Sequence, residues 1–291
     1  MACLCEGTVP LPDGRRLGYA EYGVRGGRPI LHFHGQPGGR FYDLDRGALV
    51  AHDAWLITLE RPATGLSDPK PGRTLLDWAD DVANAADHFG IDRFAVLGTS
   101  AGAPYALACG YVLDQRVAAI GLQCGYCGMP GDPEVEAVDP LAEEQARYRA
   151  DPRAYLDAAR TRLQGRCDAW ARDPDAFFDA FLAFWPENDR PRFAANRDRW
   201  MRMLAATYGV PADVDEDRID VDARGFALED VKQAVHAWHG ADDHAVPVAL
   251  TEVAVRRIPN GEITVYPGAG HYLGPSHHGD YLDFLTNWDR V

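Results

Sequence analysis

Between Pro29 and Leu122, short apolar runs alternate with stretches of helical periodicity, and this alternation limits the possible folds more than any other feature. Pro29–His34, Ala54–Leu59, Phe94–Leu97 and Val117–Leu122 read as strands. Residues 73–89 repeat apolar side chains at helical spacing through Leu75, Trp78, Val82, Ala85 and Ala86, and residues 101–113 form a further helix. This is the pattern of a parallel sheet covered on both faces, joined by right-handed crossovers. Ahead of it, residues 5–23 read as a hairpin of two extended runs around Pro12-Asp13-Gly14.

The texture changes at about residue 129. From Met129 to residue 231 there is no convincing strand. The Asp-Pro pairs Asp139-Pro140, Asp151-Pro152 and Asp173-Pro174 each precede a helical pattern. Aspartate suits the N-cap, where it accepts free backbone N–H groups, and proline suits the first helical position. The alternation resumes with Ala234–Trp238 and Ile263–Tyr266, and a closing helix starts at about residue 276. The expected architecture is an α/β sheet domain built from residues 1–128 and 232–291, interrupted by an all-helical cap at 129–231.

Bulk properties exclude several classes. A net charge of −15 without a basic cluster argues against nucleic acid or an anionic membrane surface as partner. There is no apolar run long enough to span a bilayer, and the M-A-C-L-C-E-G start lacks the basic and apolar segments of a signal peptide. A cytoplasmic location is therefore expected. Six scattered cysteines do not form a disulfide scaffold, and Cys124 and Cys127, the C-x-x-C pair, read as two small buried thiols. Nothing in the sequence specifies the oligomeric state.

The chemistry concentrates where strands end. Gly98-Thr99-Ser100-Ala101-Gly102 turns abruptly from the Phe94–Leu97 strand into a helix. Such a turn strains its central residue, and small neighbours let the chain pass closely. Ser100 then stands at a helix N-terminus that favours developing negative charge. A serine hydroxyl needs a base within hydrogen-bond reach and an acid to orient that base. The segment His239–Pro247, which contains Asp242 and Asp243, follows one downstream strand, and Gly268-Ala269-Gly270-His271 follows the next. Catalytic groups of open α/β sheets gather at the carboxyl ends of strands, so all three segments reach one edge of the sheet.

Taken together these motifs resemble those of the α/β-hydrolase family in its capped form. His-Gly-x-Pro-Gly corresponds to His34–Gly38, Gly-x-Ser-x-Gly to Gly98–Gly102, Gly-x-x-Asp-x-x-Val-Pro to Gly240–Pro247, and Gly-His to Gly270-His271. The resemblance implies a serine nucleophile, Ser100, with His271 as base and, by the family's spacing, Asp243 rather than Asp242 as acid. It also implies an oxyanion hole formed by the N–H groups of Ala101 and Gln36, since Pro37 has no N–H to give. Residues 60–69, E-R-P-A-T-G-L-S-D-P, resemble the family's Asp-Arg-Pro-Gly-x-Gly-x-Ser loop, with Glu60 in place of Asp and Ala63 in place of Gly. His34 is expected to be structural, with no metal at His32 and His34. His239, His244, His277 and His278 read as loop or surface residues that could line the mouth of the site.

In the cap, Phe177, Phe181 and Phe184 share one helical face, with Phe178, Leu182 and Trp185 on the neighbouring stripe. A small cap has little room to bury so many rings, so Phe177, Phe181 and Trp185 are expected to roof an apolar pocket. The implied function is hydrolysis of an ester, lactone or thioester of a modest-sized apolar small molecule, with no cofactor. The alternatives are a proline-iminopeptidase-like peptidase, a cyclase or lyase on the same scaffold, and a ligand receptor. The first is weakened because that pattern carries a second Gly where Gln36 stands and Trp where Ala101 stands.

Overall fold

The computed structural model describes residues 4–42, 45–187, 189–211 and 213–288. Its centre is an eight-stranded sheet in the order β1-β2-β4-β3-β5-β6-β7-β8. The hairpin pairs β1 (Cys5–Pro10) with β2 (Arg16–Gly23) in antiparallel register, Cys5 opposite Glu21 and Pro10 opposite Arg16. β2 is antiparallel to β4 (Ala54–Leu59), which lies parallel to β3 (Arg28–Phe33). The parallel run continues through β5 (Phe94–Thr99), β6 (Val117–Gln123), β7 (Ala234–Gly240) and β8 (Gly261–Tyr266). Every residue of β4 is buried, as a strand covered on both faces requires, whereas the edge strand β8 is largely half-exposed.

Helices cover the two faces. α1 (Arg46–Ala51) and α12 (His278–Thr286) lie on one, over a cluster that includes Ile30, Leu56, Leu97, Trp238 and Tyr281. α2 (Asp77–His88), α3 (Ala103–Val112) and α11 (Val248–Arg257) lie on the other, over Leu31, Phe33, Val96, Ile120 and Val235. α3 is buried along nearly its whole length, which explains its run of small and apolar residues.

Between β6 and β7 the described chain is helical without a strand. It forms α4 (Pro133–Glu136), α5 (Ala142–Ala150), α6 (Pro152–Arg172), α7 (Pro174–Phe184), α8 (Arg190–Ala195), α9 (Arg197–Tyr208) and α10 (Asp215–Val221). Asp151 and Asp173 cap α6 and α7, each carboxylate accepting an N–H at 3.0 Å, from Ala154 and Ala176. Asp139 behaves differently. It is buried, receives the Tyr126 hydroxyl and the Gln145 amide, and caps no helix, because α5 starts only at Ala142. α6, α7, α8 and α9 enclose an aromatic cluster of Phe178, Trp185, Phe193, Trp200 and Tyr208.

Candidate active site

The sharp turn after β5 places Ser100 above the carboxyl edge of the sheet. Ser100 has φ 53°, in the left-handed region, and opens a single 3-10 turn that leads into α3. The turn closes tightly because its flanking positions lack side chains. A Cβ on Gly102 would run into the carbonyl oxygen of Phe33, and one on Gly98 would lie 2.7 Å from the carbonyl oxygen of Gly102. The strain is held by the neighbouring chain, since Tyr126 donates its N–H to the Ser100 carbonyl at 3.0 Å.

The loops after β7 and β8 bring the other two groups to the same edge. His271 Nε2 lies 3.1 Å from Ser100 Oγ, and its Nδ1 lies 2.7 Å from Asp243 Oδ2. The second carboxylate oxygen of Asp243 accepts the N–H groups of Ala245 and Val246, each at 2.9 Å. Burial alone would push the Asp243 carboxyl up. Hydrogen bonds from His239 and His271, the charge of His271 and the Val246 N–H outweigh it and hold the group well below the ordinary carboxylate range. The acid thus stays ionised, and its adjacent neighbour Asp242 is exposed and outside this line.

His239 departs from the expectation of a loop or surface residue. It lies in β7, is fully buried, and places Nε2 3.1 Å from Asp243 Oδ2 and 2.9 Å from the Val246 carbonyl oxygen. Its Nδ1 meets the Thr251 hydroxyl at 3.0 Å. His278 is likewise buried and lines the cavity above Ser100, whereas His244 is exposed and His277 half-buried. Cys124 joins His239 and Asp243 to put three ligand-type atoms within 4.8 Å of one another. The carboxylate oxygens in that group are already engaged by two imidazoles and two backbone N–H groups, so the cluster is organised to hold Asp243.

His34 is buried just past the end of β3. Its Nδ1–H donates to the Gly35 carbonyl at 2.8 Å and its Nε2 accepts the Arg61 N–H at 3.1 Å. Burial, reinforced by the Arg61 charge, lowers its pKa to about 3, so the ring is neutral. Arg61 donates to the Gly35 carbonyl at 3.0 Å and to the Gln36 side chain at 3.3 Å, and is itself paired with Glu216 at 2.7 Å. Glu60 accepts the N–H groups of Arg40 (3.1 Å) and Leu66 (2.7 Å), tying its loop together. The N–H groups of Gln36 and Ala101 have no acceptor among the described residues, and Gln36 lines the cavity next to Ser100.

The cavity runs from Ser100 and His271 to Phe41, Tyr42 and Gln123, beneath Trp185, Phe193, Trp200 and Met203. Trp185 stacks over the His271 ring at 5.4 Å and 19°. Phe177 and Phe181 are not on the cavity wall, which corrects the expectation for both. Phe177 points toward α6 and α9, against Trp170 and Tyr208, and Phe181 packs among Phe178, Phe193 and Trp200. The cap does bury most of its rings internally, because α8 and α9 supply a second layer of aromatics for α7 to close on. Sequence reasoning missed Phe193, Trp200 and Met203, which sit on those helices. It also missed Gln123, whose signal was available: it is the one polar residue in an otherwise apolar strand, and it stands at the carboxyl end.

A family model for the alpha/beta hydrolase fold matches residues 28–277. The chain belongs to the α/β-hydrolase family. Similarity to individual members of this family is local. The proline iminopeptidase of Xanthomonas citri is 30% identical over 120 residues, 39% of this chain and 36% of that protein. The pimeloyl-[acyl-carrier protein] methyl ester esterase of Aromatoleum aromaticum is 31% identical over 134 residues, 45% of this chain and 53% of that enzyme. The matched segments thus span about a third to a half of those relatives. The hydrolase fold itself is shared along the entire chain. A bromoperoxidase from Bacillus anthracis superposes with TM-score 0.69 at 19% identity, covering 99% of this chain and all (100%) of that one. An esterase from Exiguobacterium antarcticum does so with TM-score 0.64 at 15% identity, covering 99% and 100%. Among the described residues no helix is long and apolar enough to cross a membrane.

Proposed function

We propose that this α/β hydrolase cleaves an ester-type bond of a modest-sized, mostly apolar small molecule through an acyl-enzyme on Ser100. The observation that carries this reading is the hydrogen-bonded line Ser100–His271–Asp243, which opens into a cavity roofed by Trp185, Phe193 and Trp200. Ser100 Oγ attacks the carbonyl carbon while His271 Nε2 takes its proton. Asp243 keeps the other ring proton on Nδ1 and stabilises the imidazolium. The Gln36 and Ala101 N–H groups donate hydrogen bonds to the developing oxyanion, a contribution of about 3 kcal/mol per donor. His271 then protonates the leaving alcohol or thiol, and water, deprotonated by the same ring, releases the acid. No step calls for a cofactor.

Ester cleavage is favoured over an aminopeptidase reading by the cavity wall. Removing an N-terminal residue requires recognition of a charged amine, and the described residues lining the cavity include no carboxylate. The test is labelling with a fluorophosphonate, followed by turnover of a panel of aryl esters. Wild-type protein labels stoichiometrically, and Ser100→Ala abolishes both labelling and turnover while keeping its circular dichroism. Ser100→Ala turning over esters near the wild-type rate would remove the acyl-enzyme, and labelling without ester turnover would favour a cyclase or lyase.

A further inference from the structure

The cavity wall carries a polar device that the Ser100–His271–Asp243 line does not use. Thr99 and Gln123 are register partners on β5 and β6, so Gln123 stands beside the residue that precedes the nucleophile. Gln123 is 5% exposed and lines the cavity. Its Oε1 accepts the Tyr42 hydroxyl and, at 3.2 Å, the Thr99 hydroxyl. Thr99 in turn lies 3.0 Å from His32 Nε2, and His32 Nδ1 lies 3.3 Å from the Thr58 hydroxyl.

These contacts form a chain that runs one way. Burial keeps His32 neutral, its pKa well below the ordinary value, so the ring has one proton. With Thr99 donating to Gln123, Thr99 must accept from His32 Nε2–H, and His32 Nδ1 accepts from Thr58. Every hydroxyl and ring proton of the chain is then used, and every bond points toward Gln123 Oε1. The amide N–H₂ of Gln123 has no acceptor among the described residues. His278 adds a second donor: its Nδ1 accepts the Asp45 N–H at 3.1 Å, which puts the ring proton on Nε2, and no described residue accepts that proton. Both residues line the cavity, so a ligand oxygen can take up either N–H, and an analogue without that oxygen leaves it unmet.

We propose that Gln123 Nε2, with His278 Nε2, forms a specificity subsite for an uncharged acceptor oxygen, an ether, keto or ester oxygen, carried close to the scissile carbonyl. This rests on the acyl-enzyme reading for its kinetic test and stands independently as a binding site. The cavity therefore selects oxygenated substrates over hydrocarbon ones of equal length, although most of its wall is apolar. The oxygen comes from either the acyl or the alcohol part of the substrate, and the two are separable by experiment.

The test compares matched pairs in which one CH₂ becomes O. On the acyl side these are p-nitrophenyl methoxyacetate against butanoate and 3-methoxypropanoate against pentanoate. On the alcohol side the pair is 2-methoxyethyl against butyl acetate. Each is assayed with wild type, Gln123→Met, which removes the donor, and Gln123→Glu, which keeps an acceptor for Tyr42 and Thr99 but replaces the donor. Intrinsic reactivity cancels when one pair is compared between variants. For at least one pair, the oxygen-over-carbon ratio of kcat/KM should fall about 3- to 10-fold in both variants, the size of one neutral hydrogen bond. Absence of turnover of every ester by the wild type would count against the acyl-enzyme reading and not the subsite, and a variant that also loses the all-carbon esters is judged by binding alone. Unreactive ketones with and without the ether oxygen, titrated by tryptophan fluorescence, give the same ratio as Kd without any turnover. Equal ratios in all three proteins, by kinetics and by binding, overturn the subsite.

Discussion

The floor and the roof of the cavity are built by different physics. On the floor, directional bonds fix each group: Asp243 accepts two backbone N–H groups and two imidazoles, and both nitrogens of His34 are engaged. On the roof, Trp185 lies against Phe193 at 4.5 Å and 19°, and the buried indole N–H groups of Trp185 and Trp200 have no partner among the described residues. Roof rings are therefore held by area and shape. Floor residues should therefore resist replacement, while roof residues should tolerate apolar side chains of similar bulk.

The sharpest way to break this contrast is at the acid. Asp243→Asn should lower kcat by about 10⁴, because an amide no longer enforces the Nδ1–H tautomer of His271. Asp242→Asn, at an exposed position one residue away, should change kcat less than about 2-fold, as surface substitutions away from special features do. Stopped-flow or steady-state turnover of one aryl ester decides it. Comparable losses in both would mean that the floor is no more directional than its surroundings.

The same contrast explains what was legible in the sequence. Ser100 carried its own signal in a tight strand-to-helix turn, the strand ends pointed to the segments that hold Asp243 and His271, and the choice of Asp243 over Asp242 came from the family's spacing. The parallel sheet was legible because its inner strands β4, β5 and β6 are buried on both faces and read as short apolar runs. His239 was misread because the one-letter neighbourhood H-G-A-D-D-H looks like a polar loop, whereas β7 extends to Gly240 and takes His239 into the interior. The cap misled in a different way. A stripe of Phe at helical spacing says that a face is buried, but not whether it faces the cavity or another helix. Phe177 and Phe181 chose α6, α8 and α9, whose aromatics lie far away in sequence.

The roof itself can be divided by experiment. Trp185 touches both the cavity and His271, so Trp185→Leu should raise KM for an octanoate ester about 5- to 150-fold, the equivalent of a lost ring contact of about 1–3 kcal/mol. For the acetate ester, too short to fill the roof, the rise in KM should be much smaller. Phe177→Leu should leave the octanoate-to-acetate ratio unchanged and lower only the urea midpoint, since its ring meets Trp170 and Tyr208 inside the cap. If Phe177→Leu shifted the ratio as much as Trp185→Leu, the assignment of these two rings to separate layers would fail.

The smallest effect separates floor from roof by pH. His34 has its folded pKa lowered from 6.5 to about 3, so below pH 6.5 the unfolded chain binds a proton that the folded chain does not. Stability from this group is fully present above the unfolded value and is lost as pH falls toward the folded one. Between pH 6.5 and 5.5 the loss amounts to about 1 kcal/mol for one such histidine. Depressed carboxylates slope the same way but only at lower pH, because Glu216 begins from an ordinary value of 4.5 and Asp243 from 3.8. His34→Asn should therefore remove about 1 kcal/mol of the pH dependence in that window, while His32 and His278, lowered in the same direction by burial, retain theirs. Phe177→Leu, at a site without a titrating group, should keep the full wild-type slope at reduced overall stability. Urea unfolding at both pH values measures each slope. An unchanged slope in His34→Asn would mean that His34 is protonated in the folded protein and that the Arg61 N–H is held by something other than its Nε2.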